Sequence, residues 1–222
     1  MGEYFRKIIA HDTTKITIMV LGLLVSYAYA AQDPSAILLR IEERMSGVKT
    51  IEADFIQEKR LSAFSRPVTI KGKIFIQKPN LFSWQARYPV RYSMLIKDDV
   101  IKQWDEESDQ IQQFSLARNP SFSIAIAQMR VWFSGAYLAL LKDYDAKIIS
   151  QEPVVLEFTP LPANPARGLL RDVRVSFAQD KLYLREITIE EKNGDATTIT
   201  FFAVRLNMPI NPSAWELKPH AQ

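Results

Sequence analysis

The stretch IKGKIFIQKPNLFSWQARYP, residues 70–89, decides the fold. It holds two runs of period two separated by Lys78-Pro79-Asn80. Period two is the signature of extended strands, whose successive side chains leave opposite faces of a sheet. In the first run Ile74 and Ile76 share one face and Phe75 takes the other. In the second, Phe82, Trp84 and Ala86 alternate with Ser83, Gln85 and Arg87. Proline lacks a backbone donor and asparagine tolerates turn geometry, so the chain reverses between the runs and two antiparallel strands follow.

The same texture extends both ways. IEADFIQEK precedes the stretch, while RYSMLIK and VIKQWDEE follow it. Further on come DAKIIS, VVLEFTP, RDVRVSFAQ, LYLREITIEE and TTITFFAVRLN. Asn193-Gly194 marks a hairpin and Gln179-Asp180 another tight turn. The apolar phase shifts between Leu184 and Ile187, as a bulge would make it. A meander of about ten or eleven strands is expected. Val173, Val175 and Phe177 alternate with polar neighbours, as in a sheet wet on one side. The segments around Phe75 and Phe202 are apolar on both faces, which a strongly curved sheet wrapped around helices would bury.

Two segments read as helical. Asp33 caps a helix with Pro34 in its first turn, and Ile37, Leu38, Ile41 and Met45 form one stripe until Gly47. After Asn119-Pro120, the spacing of Phe122, Ile126, Met129, Phe133, Tyr137 and Leu141 is also helical, with Gly135 placed to split the segment. Residues 1–30 have a different character. Arg6, Lys7 and Lys15 precede the apolar run Ile16–Val25, and Ala28-Tyr29-Ala30 makes a small-x-small site, so a cleaved secretory signal is expected, followed by one domain over residues 31–222.

Much chemistry is excluded. The 222 residues contain no cysteine, which removes disulfides, thiolate catalysis and a lipid-modified cysteine. The two histidines, His11 and His220, lie in the expected signal and near the end, so a triad or imidazole metal centre has no internal ligand. Asp105, Glu106, Glu107 and Asp109 beside Trp104 lack calcium-loop spacing and read as a solvated turn. The charge of +3 gives no basis for nucleic-acid binding. A paired-carboxylate hydrolase has no local signature, and neither a cofactor nor an enzymatic activity is expected. A noncatalytic scaffold with its apolar faces filled by side chains remains open.

The segment 70–89, with TIEADFIQEKR before it, IKQWDEESDQI after it and the terminal FFAVRLNMPINPSAW, resembles the periplasmic outer-membrane lipoprotein carrier family, LolA. The resemblance implies a strongly curved, incompletely closed antiparallel β-barrel of about eleven strands, with a helical lid over an apolar cavity. It further implies a soluble periplasmic carrier that shields acyl chains of a lipoprotein or another lipid between an inner-membrane donor complex and an outer-membrane acceptor. A carrier dedicated to a glycolipid, lipid precursor or pigment is the alternative, and a monomer is expected. Phe82 and Trp84 match the family's aromatic positions after the proline motif. Periodicity adds Phe75, Met94, Ile96, Met129 and Phe133 as lipid-binding candidates. Lys78 falls where the better-known carriers have an arginine that latches the lid; lysine keeps the charge but loses the planar fork of donors.

Overall fold

The computed structural model describes residues 33–98, 100–115, 131–133, 135–178 and 183–218. Helix α1 (Pro34–Ser46) starts as its sequence requires: the Asp33 carboxylate accepts from the Ser35 amide at 2.9 Å, and Pro34 occupies the first turn. Its buried residues are Ile37, Leu38, Ile41 and Met45, one continuous stripe.

Eleven strands follow. They are β1 (Thr50–Arg60), β2 (Val68–Gln77), β3 (Leu81–Tyr88), β4 (Tyr92–Lys97), β5 (Val100–Asp105), β6 (Ile111–Ser115), β7 (Tyr144–Gln151), β8 (Val154–Pro160), β9 (Leu170–Phe177), β10 (Leu184–Glu191) and β11 (Ala196–Leu206). All pairings are antiparallel, in the order β6-β5-β4-β3-β2-β1-β11-β10-β9-β8-β7. The register slips between Leu184 and Glu186, where the shifted apolar phase calls for a bulge. Residues 192–194 turn between β10 and β11, with Gly194 at φ +89°. The Gln179-Asp180 turn lies outside the described residues. Strand β6 carries too sparse a pattern for periodicity to detect, and it survives as a mainly exposed edge.

The expectation of a strongly curved, barrel-like sheet is corrected here. The ladder is one open line ending at β6 and β7; the sheet is neither closed into a barrel nor strongly curved. Closure requires the last edges to meet in register, and no such pairing occurs among the described residues. The two apolar faces of β2 are instead met by separate covers, whereas Phe202 on β11 stays exposed. Ile74 and Ile76 on β2 join a core containing α1 and the cover residues Trp132, Phe133 and Tyr137. Phe75, between them, faces the other way and meets Trp215 of the C-terminal segment, with ring centroids 6.4 Å apart. Gly72 permits the tightest part of the first core. A Cβ there would stand 2.0 Å from the Gln85 carbonyl oxygen and 2.7 Å from the Phe55 ring.

Candidate functional site

The site is built from the apolar face of the sheet and what lies on it. From β1, β2 and β3 come Phe55, Ile74, Phe82 and Trp84, and from β4 come Met94 and Ile96, all buried in one cluster. Phe55 and Trp84 pack with centroids 3.9 Å apart and their planes tilted by 32°. On the far half of the sheet, β7, β8 and β9 contribute Tyr144, Phe158 and Phe177.

A cover segment bridges these two aromatic areas. Residues 131–133 are helical, Gly135 sits at φ +85°, and a 3-10 helix runs from Tyr137 to Lys142. The split predicted at Gly135 is therefore present, with a tighter helix after it. Phe133 lies 5.7 Å from Phe82 and 5.3 Å from Phe201, ring centre to ring centre. Trp132 meets Phe158 at 5.1 Å, and Tyr137 meets Phe177 at 5.2 Å. The Tyr137 hydroxyl donates to the Trp132 carbonyl at 2.8 Å, satisfying its polar tip, and burial pushes its pKa up.

Two side-chain hydrogen bonds among the described residues tie this cover to its surroundings. The Glu42 carboxylate on α1 accepts the Leu138 amide at 3.1 Å, capping the start of the 3-10 helix. Lys78 Nζ donates to the Met45 carbonyl at 3.1 Å, in the last turn of α1, where the helix dipole favours a cation. Burial holds the Lys78 pKa below the usual lysine value. Lysine supplies one contact to the cover backbone here, as its single donor head dictates.

The enclosed space is small. A cavity of about 20 Å³ is lined by Met45, Ile74, Trp132, Phe133, Tyr137, Phe201 and neighbours. That is room for about one water molecule, so at this place the described residues are closely packed. Of the sequence-derived candidates, Phe133 touches the cavity. Phe82, Trp84, Met94 and Ile96 belong to the surrounding core, Phe75 lies on the opposite face, and Met129 lies outside the described residues. Periodicity missed Phe201 as a site residue, although its cross-strand partner Phe55 places it on the same face. Among the described residues no cluster of three or more His, Asp or Glu could hold a metal, and no helix is long and apolar enough to cross a membrane.

The described residues thus form an open antiparallel sheet whose apolar face is plugged by aromatic residues on a helical cover. The sequence profile of the outer membrane lipoprotein carrier protein LolA matches residues 46–218, and the chain belongs to that family. It is accordingly a periplasmic, non-enzymatic protein of the lipoprotein-transport class. It is 20% identical over 205 residues to the outer-membrane lipoprotein carrier protein of Pseudoalteromonas translucida, covering 91% of this chain and 90% of the relative. To the same-named protein of Coxiella burnetii it is 23% identical, covering 94% and 95%. Among solved structures, an uncharacterized conserved protein from Thermus thermophilus shares the fold with a TM-score of 0.52 at 7% identity, covering 85% of this chain and 96% of that one. MucB in the Pseudomonas aeruginosa MucA/MucB complex gives a TM-score of 0.50 at 13% identity, covering 83% and 60%.

Proposed function

We propose that the chain carries an acylated amphiphile through the periplasm, with the acyl chains taking the place of the aromatic plug beneath α1 and residues 131–142. The observation that supports this is how the plug is held: Trp132, Phe133 and Tyr137 rest on the sheet through side-chain contacts, with Lys78 and Glu42 supplying the polar ties described above. Such a cover can lift without breaking a β ladder. Each methylene shielded from water contributes about 0.8 kcal/mol, so acyl chains can replace the ring contacts that opening removes. Phe82, Trp84, Met94, Ile96, Met129 and Phe133 are the proposed lipid contacts; Phe75 serves the outer face instead. Lys78 is the proposed latch.

The single Lys78 contact in the family's arginine position favours a carrier dedicated to a glycolipid, lipid precursor or pigment over general lipoprotein traffic. An inner-membrane donor and an outer-membrane acceptor complete the proposed route, with residues 1–30 removed on export. The filled interior favours a second reading, a scaffold whose apolar face stays closed; MucB, of similar fold, has been crystallised in complex with MucA. Mild purification from the native periplasm, followed by mass spectrometry of bound lipid and protein, separates these readings. Stoichiometric lipid of one class supports the dedicated carrier, and assorted acylated proteins indicate lipoprotein carriage. A lipid-free protein complex would replace both with the scaffold.

A further inference from the structure

The meander places the turns β1–β2, β3–β4, β5–β6, β8–β9 and β10–β11 at one end of the sheet, opposite the Lys78 turn. The four most exposed large hydrophobic side chains among the described residues all lie in these turns or at their strand ends. They are Leu169 at 67%, Phe64 at 66%, Tyr88 at 61% and Val90 at 58% exposure. Hairpin tips have no packing reason to display such residues. The tips are also tied together: the Ser62 amide donates to Asp195 at 2.7 Å, and the Lys192 amide to the Leu169 carbonyl at 2.9 Å.

Arginines accompany each exposed apolar residue. Arg66 follows Phe64, Arg87 and Arg91 flank Tyr88 and Val90, and Arg167 and Arg171 bracket Leu169. Arg66 and Arg87 have no ion-pair partner among the described residues. Arg91 has only a 3.8 Å approach to Glu106, with both side chains about half exposed. Arg171 is committed to Asp172 at 2.8 Å. At the β1–β2 and β3–β4 tips, apolar side chains beside arginines without a close ion-pair partner among the described residues match an interface where hydrocarbon lies beneath anionic headgroups. Glu191 and Asp195 of the β10–β11 turn offset the charge further along the same end.

We propose that this end of the sheet, led by the β1–β2 and β3–β4 tips, docks on the surface of a bilayer rich in anionic phospholipid. Phe64, Tyr88 and Val90 enter the headgroup layer, and Arg66 and Arg87 pair with phosphates. The acidic β5–β6 turn, with Glu106 and Glu107, stands at the same end and is repelled by that surface. It tilts the molecule toward the arginine-bearing tips. The docking does not depend on what lies under the cover, so it holds whether or not the carrier reading does.

Flotation of the purified protein with phosphatidylglycerol-containing vesicles, against pure phosphatidylcholine vesicles, tests this. Binding is expected to the anionic vesicles alone and to weaken with salt. Arg66→Gln with Arg87→Gln should lower it about fivefold per cation removed. Phe64→Ser with Val90→Ser should lower it at least about tenfold, while Ile149→Ser, an exposed apolar change at the other end, leaves it unchanged. All these positions are exposed, so thermal midpoints should stay put; if the apolar double variant unfolds, the arginine pair and its salt slope decide alone. No binding to anionic vesicles, or equal loss from Ile149→Ser, overturns the proposal. Binding only to native inner-membrane vesicles, abolished by protease, assigns the tips to a protein partner and also overturns it. Lipid co-purifying with the tip variants reports separately on the carrier reading.

Discussion

Strand β2 separates two covers that bury similar residues by different means. Below Ile74 and Ile76 lie α1 and the described residues of 131–142, which bring ring and aliphatic side chains onto the sheet. Over Phe75 lies the C-terminal segment 207–218, which is tied polar group by polar group. Asn207 Oδ1 accepts the Lys49 amide at 2.7 Å, its Nδ2 donates to the Gly47 carbonyl at 3.1 Å, and its own amide donates to the Thr50 carbonyl at 2.9 Å. Thr50 Oγ1 reaches the Met208 carbonyl, Gln85 Nε2 the Ala214 carbonyl, and Lys218 pairs with Asp109. Side-chain packing is non-directional and can be exchanged for a ligand, whereas a row of hydrogen bonds specifies one arrangement. The outer cover is therefore the one whose arrangement directional hydrogen bonds specify.

Truncating one aromatic residue under each cover challenges that contrast most strongly. Trp84→Ala and Phe75→Ala each remove a buried aromatic side chain, and each should cost about 3–5 kcal/mol in urea unfolding. Only Trp84→Ala should reduce lipid recovered with the protein. Equal loss of lipid from both would mean that the two faces do not differ in function.

The next effect concerns the joint between the covers. Asn207 sits at φ +57°, a backbone region asparagine tolerates better than alanine, and its side chain makes two backbone hydrogen bonds. Asn207→Ala should cost about 2 kcal/mol. By hydrogen exchange, amides of 208–218 should lose protection while Leu138 keeps its own. Simultaneous loss at α1 would show that Asn207, which also holds Gly47, couples the covers.

How far this division was legible in sequence depends on what carries the signal. Helix α1 was readable end to end, because Asp33, Pro34, the Ile37–Met45 stripe and Gly47 are local signals. Strands β3 and β8 coincide end to end with LFSWQARY and VVLEFTP. The partner of each face was not readable. Phe75 alternates with Ile74 and Ile76 whether its face meets lipid, helix or Trp215, and the choice is made by a segment some 140 residues away. For the same reason apolar residues on both faces of β2 read as curvature around a cavity, when two separate covers meet them. Lys78 was findable through resemblance to the carrier family, but its Met45 acceptor depends on how α1 lies.

Lys78→Ala tests the polar tie of the inner cover. The bond to Met45 is partly exposed, so its loss should shift the closed form by about 1 kcal/mol. Spin labels at Arg40 and Lys97 should then report a longer distance population. Lys78→Arg, with more donors for the same carbonyl-rich helix end, should shorten it. An unchanged distribution in Lys78→Ala would remove the latch role and leave ring packing as the closing force.

The smallest effect is the most discriminating, because the two covers should respond to opposite ends of the pH scale. Burial lowers the Lys78 pKa from the ordinary 10.5, so below the lowered value the closed protein carries the full cost of desolvating an ammonium. As pH rises through that value toward 10.5, the folded protein sheds its proton before the unfolded chain does, the unfolded chain binds more protons, and closure is relatively favoured. Asp109 behaves the other way. The Trp104 indole donor, then Lys218, hold its carboxyl below the ordinary 3.8. The stabilising contribution is complete above the ordinary value and is lost as pH falls through the lowered one. Mild alkali should therefore tighten Arg40–Lys97 label distances with little change in exchange at 208–218, while acid below about pH 4 should release 208–218 first. In Lys78→Ala the alkaline response should vanish and the acid response persist, which ties each response to its own face of the sheet.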